Sequence, residues 1–270
     1  MRLSAQGIFG LALILVVAAA GLVSLFWTPL NPLGINLGAR LQPPSMQNLF
    51  GTDEFGRDVF SRAMVGARTS LLISLMSVGF AVVLGTFVGI AAGYSRGFVD
   101  RILMLGTNAL LAFPGVLLAL GIIIIFGASI PGLVLALGLS YAPSVIRVVR
   151  STVLSLRQRE FIEASRVIGN SEGYTMLAHV LPNCIVPVIV LGTSMFGWVI
   201  LLESALSFLG VGIAPPAPTW GNMLSGGRAF LESAPWLGIA PGVCITLTLL
   251  GINLFGDALR DRYDPRMERA

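Results

Sequence analysis

The sequence contains no lysine, and this absence excludes one large class of function. All 17 basic residues among its 270 are arginines. A phosphate-binding P-loop ends in Gly-Lys-Ser/Thr because the lysine reaches the phosphates. A chain without lysine cannot build this motif, so we expect no ATP-hydrolysing machinery within the chain itself.

Histidine and cysteine are also scarce, which argues against metal and nucleophilic chemistry. His179 is the single histidine, whereas the zinc motif HExxH needs two, and a Ser–His–Asp triad would have to use this one residue. Cys184 and Cys244 lie in apolar runs without CxxC or metal spacing, so we interpret them as buried free thiols rather than as a disulfide or metal ligands. No catalytic residue and no metal site is predicted.

Charged residues are few, and this points to a membrane protein. They make up 11% of the chain, against 55% hydrophobic residues, whereas soluble domains carry about 25% charged residues. The mean hydropathy is +0.87. The net charge of +4 comes without a basic run interleaved with aromatics, so nucleic-acid binding is not predicted. A soluble core cannot bury this much apolar surface, but a lipid bilayer can.

Six segments have the roughly 20 apolar residues that a membrane helix needs. They are residues 8–27, 70–94, 103–126, 130–149, 184–209 and 236–256. Pro114 and Pro241 lie inside two of them, which membrane helices tolerate. The first segment is longer than the ~7–15 apolar residues of a signal core, so we interpret it as a retained anchor rather than a cleaved peptide. The prediction is an all-α integral membrane protein with six transmembrane helices.

The positions of the arginines predict the orientation. With both termini in the cytoplasm, twelve of the 17 arginines lie inside, as the positive-inside rule expects. The remaining five are Arg40, Arg57, Arg62, Arg68 and Arg228. The chain then divides into an anchor helix with an external loop (1–69), a core transmembrane domain (70–256) and a cytoplasmic tail (257–270).

Two predicted external loops have distinctive sequences. The first contains GTDEFGRDVFSR (51–62), where Thr52 and Asp53 are suited to cap a short helix. The second contains a stiff Pro-rich turn with Trp220. We expect Trp220 and Trp236 at the membrane–water boundary, where amphipathic rings collect.

Three polar residues within the predicted spans are candidate functional residues. Glu203 lies near the external end of the fifth span. It either faces the translocation path, makes a hydrogen bond between helices, or reaches external water. Asn108 and Asn253, in the third and sixth spans, are expected either to make interhelical hydrogen bonds or to lie on the pathway.

The connection between the fourth and fifth spans, residues 157–183, has a helical pattern. The spacing i, i+3, i+4, i+7 places four residues on one face: Phe161, Ala164, Ser165 and Ile168. Gly169 is suited to end this helix in a left-handed conformation, and Ser171 to cap a second short helix. Such a helix either rests on its own bundle or the lipid interface, or docks into a groove on a partner.

At this connection the chain resembles a known family. The spacing of Glu163-Ala164-Ser165, Gly169 and Leu181-Pro182 is similar to the EAA loop of ABC-importer permeases, although that family favours Ala at position 165 and Ile at position 179. The dipeptide/oligopeptide/nickel branch of the family also has motifs like these: GTDEFGRDVFSR (51–62), ESALSFLGVGIAPPAPTWGNML (203–224), APW (234–236) and NLFGDALRDRYDPR (253–266). The nearest resemblance is to the second permease subunit of a dipeptide transport system.

This resemblance implies a type I importer fold in the inner (plasma) membrane of a prokaryote, with a cytoplasmic coupling helix between helices 4 and 5. It implies import of di- or oligopeptides, with nickel or another small solute as the alternative; a stand-alone secondary transporter is the alternative outside the family. The implied partners are a homologous second permease, two ATPase subunits that hold the ATP and Mg, and an extracytoplasmic binding protein. This chain would bind no cofactor. The residues implied to dock the ATPase are Phe161, Glu163, Ala164, Ser165, Ile168 and Gly169.

One departure from the branch concerns the third span. Relatives usually carry an Arg and an Asp three residues apart, where this chain has Leu105 and Asn108. Losing both members of an ion pair costs little, whereas losing one leaves an unpaired charge. The departure leaves the substrate preference open.

Overall fold

The structure is a computed structural model that describes residues 4–95 and 97–263, and its described elements are helices. The first five are α1 (Ala5–Val23), α2 (Val59–Ser95), α3 (Gly97–Ala112), α4 (Gly115–Phe126) and α5 (Ile130–Leu156). The next five are α6 (Glu160–Val167), α7 (Glu172–Thr175), α8 (Leu181–Phe208), α9 (Trp220–Gly227) and α10 (Trp236–Tyr263). Short helical turns of other pitch lie at Leu37–Ala39, Met176–Val180 and Arg228–Phe230. The prediction of an all-α protein is confirmed.

Five described helical segments are long and apolar enough to cross a membrane, and a bent pair makes a sixth. α1, α2, α5 and α10 qualify alone, while α7 continues through Met176–Val180 into α8 as one helix from Glu172 to Phe208. In the third predicted span, residues 103–126, α3 and α4 meet at 99°. The prediction of one continuous helix there is wrong, because Pro114 at the break cannot donate the backbone hydrogen bond that would continue α3.

Two predicted boundaries also differ from the structure. α2 begins at Val59, well before the predicted start, because Asp58 Oδ2 accepts the backbone N–H of Ser61 at 2.8 Å and caps the first turn. α10 continues to Tyr263, so the described part of the predicted tail is helical. Residues 264–270 lie outside the described residues.

The external segment GTDEFGRD forms a tight turn, and the short helix predicted after Thr52 and Asp53 is absent from this described segment. Asp53 Oδ1 accepts the backbone N–H groups of Phe55 and Arg57 at 2.9 Å each, which competes with helix formation. Gly56 has φ 71° and lies so close to the neighbouring backbone that an added Cβ would come within 1.8 Å of an oxygen. The turn therefore needs glycine at this position.

A row of glycines on α2 allows α5 to pack at close range. The facing residues, in order, are Gly85 with Val145, Gly89 with Val149, and Gly93 with Val153. A Cβ added at any of the three glycines would lie 2.5–2.8 Å from the valine Cβ. Small residues at this spacing let membrane helices approach closely without a hydrophobic driving force. The α2–α5 contact is therefore the central packing surface of the bundle.

The loops on the predicted external side fold into a layer around α9. Trp220 is fully buried; its indole N–H donates to the carbonyl of Ala63 at 3.1 Å, and its backbone N–H donates to Ser70 Oγ at 3.3 Å. The indole N–H of Trp236 donates to the carbonyl of Thr52 at 3.1 Å. The expected boundary position is wrong for Trp220, because the aromatic ring fills a pocket inside the protein instead of facing lipid headgroups.

Candidate coupling site and membrane polar sites

α6 lies in the predicted cytoplasmic connection and ends abruptly. Gly169 has φ 91°, directly after Ile168. The N–H of Asn170 bonds to the carbonyl of Ser165 at 3.1 Å, and the N–H of Gly169 bonds to the carbonyl of Arg166 at 3.0 Å. This pair of bonds is the Schellman motif, which satisfies the last carbonyl groups of a helix. The helix end predicted from Gly169 is confirmed.

The two faces of α6 have different surroundings. Ile162 is fully buried in the main hydrophobic core, and Ser165 is buried one turn later. The exposed side chains of α6 and its end include Phe161, Glu163, Ala164, Val167 and Ile168. Val167 and Ile168 are 88% and 79% exposed. The face predicted for Ser165 is wrong: it follows Ile162 by three positions and points inward with it.

Ser165 connects α6 to the next helical segment. Its Oγ lies 3.0 Å from Thr175 Oγ1, with both hydroxyls buried, and it accepts a hydrogen bond from Asn170 Nδ2 at 3.1 Å. Ser171 Oγ accepts the backbone N–H of Tyr174 at 3.2 Å, which confirms the predicted cap. This second helix is not a separate short element, because it runs on into the α8 span.

Tyr94, in the last turn of α2, is held between two arginines of the connection. The guanidinium of Arg157 lies 5.0 Å from the ring centroid, and that of Arg166 lies 5.7 Å away. Arg166 also donates to the Tyr94 hydroxyl at 3.3 Å and pairs with Glu172 at 3.3 Å. Arg157 donates to the carbonyls of Gly93 and Tyr94. α6 is therefore tied to two spans, α2 and the helix that begins at Glu172.

This arginine–tyrosine cluster is not predicted by the sequence. Arg157 and Arg166 contribute there only to the predicted orientation, and Tyr94 is the last residue of a predicted span. The available signal was an aromatic residue at the cytoplasmic end of a predicted span, together with two arginines flanking a short amphipathic helix. Cation–π contacts of this kind are worth roughly 0.5–2 kcal/mol each.

His179 lies beside aromatic side chains. Its ring is 6.4 Å from that of Phe161 and 5.8 Å from that of Tyr174, both in edge-to-face geometry. These contacts tie the second helical segment to the outward face of α6. His179 therefore packs against both helical segments of the connection.

Glu203 is fully buried within α8. Ser207 Oγ donates to its Oε1 at 2.8 Å, and the hydroxyls of Ser70, Ser204 and Thr219 surround the same carboxyl. No arginine among the described residues forms an ion pair with it. Contact with external water is excluded by the burial, and the carboxyl joins α8 to α2 and to the start of α9.

Two arginines of α5 face α3. Arg147 Nη2 donates to Asn108 Oδ1 at 2.9 Å, so Asn108 links two helices. One turn later, Arg150 makes a bidentate pair with Asp100, with N···O distances of 2.6 and 2.7 Å. The Asn108–Arg147 contact is exposed on the surface of this chain, whereas the Asp100–Arg150 pair is partly buried.

Two other positions that the sequence singled out are exposed. Asn253 is exposed on the surface of α10, and no hydrogen bond joins it to another described helix, so a role on the pathway or against a further chain stays a prediction. Leu105 is 70% exposed on α3. Its face of α3 is one that a further chain or lipid would have to cover.

The described helices define a multi-pass, all-α membrane protein in which one short helix, α6, is held against two spans. Two solved structures share the fold. One is an amino acid ABC transporter with histidines, at a TM-score of 0.53 and 15% identity over 77% of this chain and 93% of that one. The other is the methionine transporter MetNI in an inward-facing conformation, at a TM-score of 0.60 and 17% identity over 75% and 97%. Such low identity shows a common fold only.

The chain belongs to the family of inner membrane components of binding-protein-dependent transport systems, whose profile matches residues 85–269. It is 44% identical to the dipeptide transport system permease protein DppC of Alkalihalophilus pseudofirmus, over 86% of this chain and 77% of that protein. It is 41% identical to a protein of Brucella suis provisionally named a peptide transport system permease, over 96% and 87%. Family membership implies an ATPase and a substrate-binding protein as partners.

Proposed function

We propose that this chain is one of two permease subunits of an ABC importer that carries di- or oligopeptides across the inner membrane of a prokaryote. The peptide substrate is supported by the names of two relatives at 41–44% identity. One observation supports a role in ATP-driven transport: α6 has an exposed apolar face and is held rigidly to two spans.

The proposed assembly is the one that the resemblance to ABC-importer permeases implies. Two ATPase subunits bind ATP and Mg, and one of them receives the outward face of α6 in a groove. Phe161, Glu163, Ala164 and Ile168 contact the groove, while Ser165 and Gly169 set the position and the end of the helix. A homologous permease completes the pathway, a binding protein delivers peptide to the external face, and both termini of this chain lie in the cytoplasm. This chain binds no cofactor and performs no chemistry.

The mechanism is a transfer of motion. Closure of the ATPases around ATP displaces α6. The Tyr94 cluster passes the displacement to α2, and the Ser165–Thr175 contact passes it to α8. Because α2 and α5 are packed without space between them, the spans move together instead of deforming, and the pathway opens to one side at a time.

The test uses the complete complex, reconstituted with its binding protein. Wild type should import a labelled dipeptide only with ATP, and the ATPase should be retained when this chain is purified in detergent. Ile168→Asp places a charge in the apolar contact and should abolish both, because a buried unpaired charge is strongly unfavourable. Met46→Asp is the matched control, since Met46 is 97% exposed on the predicted external side.

Three outcomes would contradict the proposal. Full ATPase retention in Ile168→Asp would overturn docking through α6. Import that continues without ATP would indicate a stand-alone transporter. ATP-driven uptake of nickel with no uptake of peptide would move the chain to the metal-transporting members of its branch.

A further inference from the structure

α5 carries a polar stripe along one side of an otherwise apolar span. The stripe follows the positions i, i+4, i+7 and i+11, which share a helical face: Ser140, Ser144, Arg147 and Ser151. Its members are half-buried or exposed in this chain. The opposite side of α5 holds the valines that pack against the glycines of α2. The stripe therefore faces away from the core of this subunit.

Arg147 is the charged member of the stripe, and its charge is not neutralised by the described residues. Its partner is the amide oxygen of Asn108, which is a neutral acceptor. By contrast, Arg150, one turn later, donates two hydrogen bonds to the carboxylate of Asp100, which neutralises its charge. Asn108 thus holds the Arg147 guanidinium in place and leaves its charge available to an incoming anion.

A charge at this position cannot face lipid cheaply. The orientation argument counted Arg147 with the cytoplasmic arginines, but α5 continues to Leu156. Arg147 therefore lies about 13 Å inside this end of the helix, at a rise of about 1.5 Å per residue, and within reach of the hydrocarbon region. An arginine at the centre of a membrane helix costs at least ~2.5 kcal/mol if it faces lipid. Because of this cost, and because the stripe also contains serines, we expect this face of α5 to contact water or protein and not lipid.

We propose that this face lines the substrate pathway and that the Arg147 guanidinium binds the C-terminal carboxylate of a peptide in transit. The inference rests on the proposed peptide function and adds a site to it. A carboxylate is the group that every linear peptide shares, so one guanidinium recognises substrates regardless of side chains. A single cation also attracts the peptide carboxylate weakly enough to release it again, which a site within a conduction pathway must do.

The test compares a dipeptide with its C-terminal amide in the reconstituted complete complex, using the same binding protein throughout. Because the binding protein is constant, a change in the free-acid to amide uptake ratio arises in the membrane subunit. Arg147→Gln removes the charge. Asn108→Asp keeps the contact and neutralises the guanidinium in place, so it tests the charge even if Arg147→Gln fails to assemble. Each change should lower the ratio roughly tenfold, the effect of losing one charge-assisted hydrogen bond.

Two further variants serve as controls. Arg147→Lys retains a cation and should keep most of the wild-type ratio, while Arg101→Gln removes an exposed arginine of α3 that is not part of the stripe and should keep all of it. An unchanged ratio in Asn108→Asp overturns the inference, as do equal losses of both peptides in Arg147→Gln, which would assign Arg147 to an ion pair with the second permease. Wild-type complex that imports neither peptide would instead contradict the proposed function.

Discussion

At the scale of single residues, Glu203 shows how a buried acid is accommodated in a membrane helix. Its carboxyl is surrounded by hydroxyl groups from three helical elements and faces no described cation. Ser207 satisfies Oε1, whereas Oε2 has no hydrogen-bond partner among the described residues, and an unpaired buried charge would be expensive. The side chain therefore acts as a polar connector at the external end of α8.

From this environment we predict that the stability of the protein depends more on the hydrogen bonds of Glu203 than on its charge. Glu203→Gln keeps the acceptor for Ser207 and should leave the melting temperature of the detergent-purified protein nearly unchanged. Glu203→Ala leaves a cavity and unsatisfied hydroxyls and should destabilise the protein by about 2 kcal/mol or more. Glu232→Ala, at an exposed position, is the control. Equal loss of stability in the Gln and Ala variants would show that the ionised form is required.

At the scale of elements, the α2–α5 contact depends on the absence of side chains. Gly85 faces Val145 so closely that an added Cβ would lie 2.5 Å from the valine Cβ. Gly79, on the same helix, has no heavy atom within 4 Å of the same added atom. The two positions differ in packing while the substitution is chemically identical.

Gly85→Ala should therefore lower the stability of the purified protein by roughly 1–3 kcal/mol through overpacking. Gly79→Ala should be neutral or slightly stabilising, because alanine is the better helix former. Thermal unfolding followed by size-exclusion chromatography would measure both. Indistinguishable melting temperatures for the two variants would indicate that α2 and α5 are not in close contact.

The elements also show which features a sequence predicts and which it does not. The end of α6 at Gly169 and the cap at Ser171 were predictable because backbone geometry within a few residues determines them. The early start of α2 also depends on a local cap, at Asp58, but it lies outside the apolar window that sets the predicted span. The inward turn of Ser165 was not predictable, because it depends on a contact with Thr175 in another helix. The bend at Pro114 was only partly predictable, because proline removes a backbone donor without determining whether the helix kinks or breaks.

At the scale of the whole molecule, hydropathy predicted the class correctly, since the bilayer dictates the length and apolar character of every span. The candidate coupling residues came from a local motif and lie together on α6 and its end. The contacts that connect them to the bundle, at Tyr94, Arg157 and Arg166, join residues far apart in the chain. Periodicity within one segment carries no information about such contacts.

The orientation of the whole molecule is the remaining expectation, and it rests on the distribution of arginines. In a background with Cys184 and Cys244 replaced by alanine, Met46→Cys lies on the predicted external side and Gln158→Cys on the cytoplasmic side. A membrane-impermeant thiol reagent should label Met46→Cys in intact spheroplasts and Gln158→Cys only after permeabilisation, since both positions are exposed. The reverse pattern would place α6 outside the cell, where no ATPase could reach it, and would remove the physical basis of coupling.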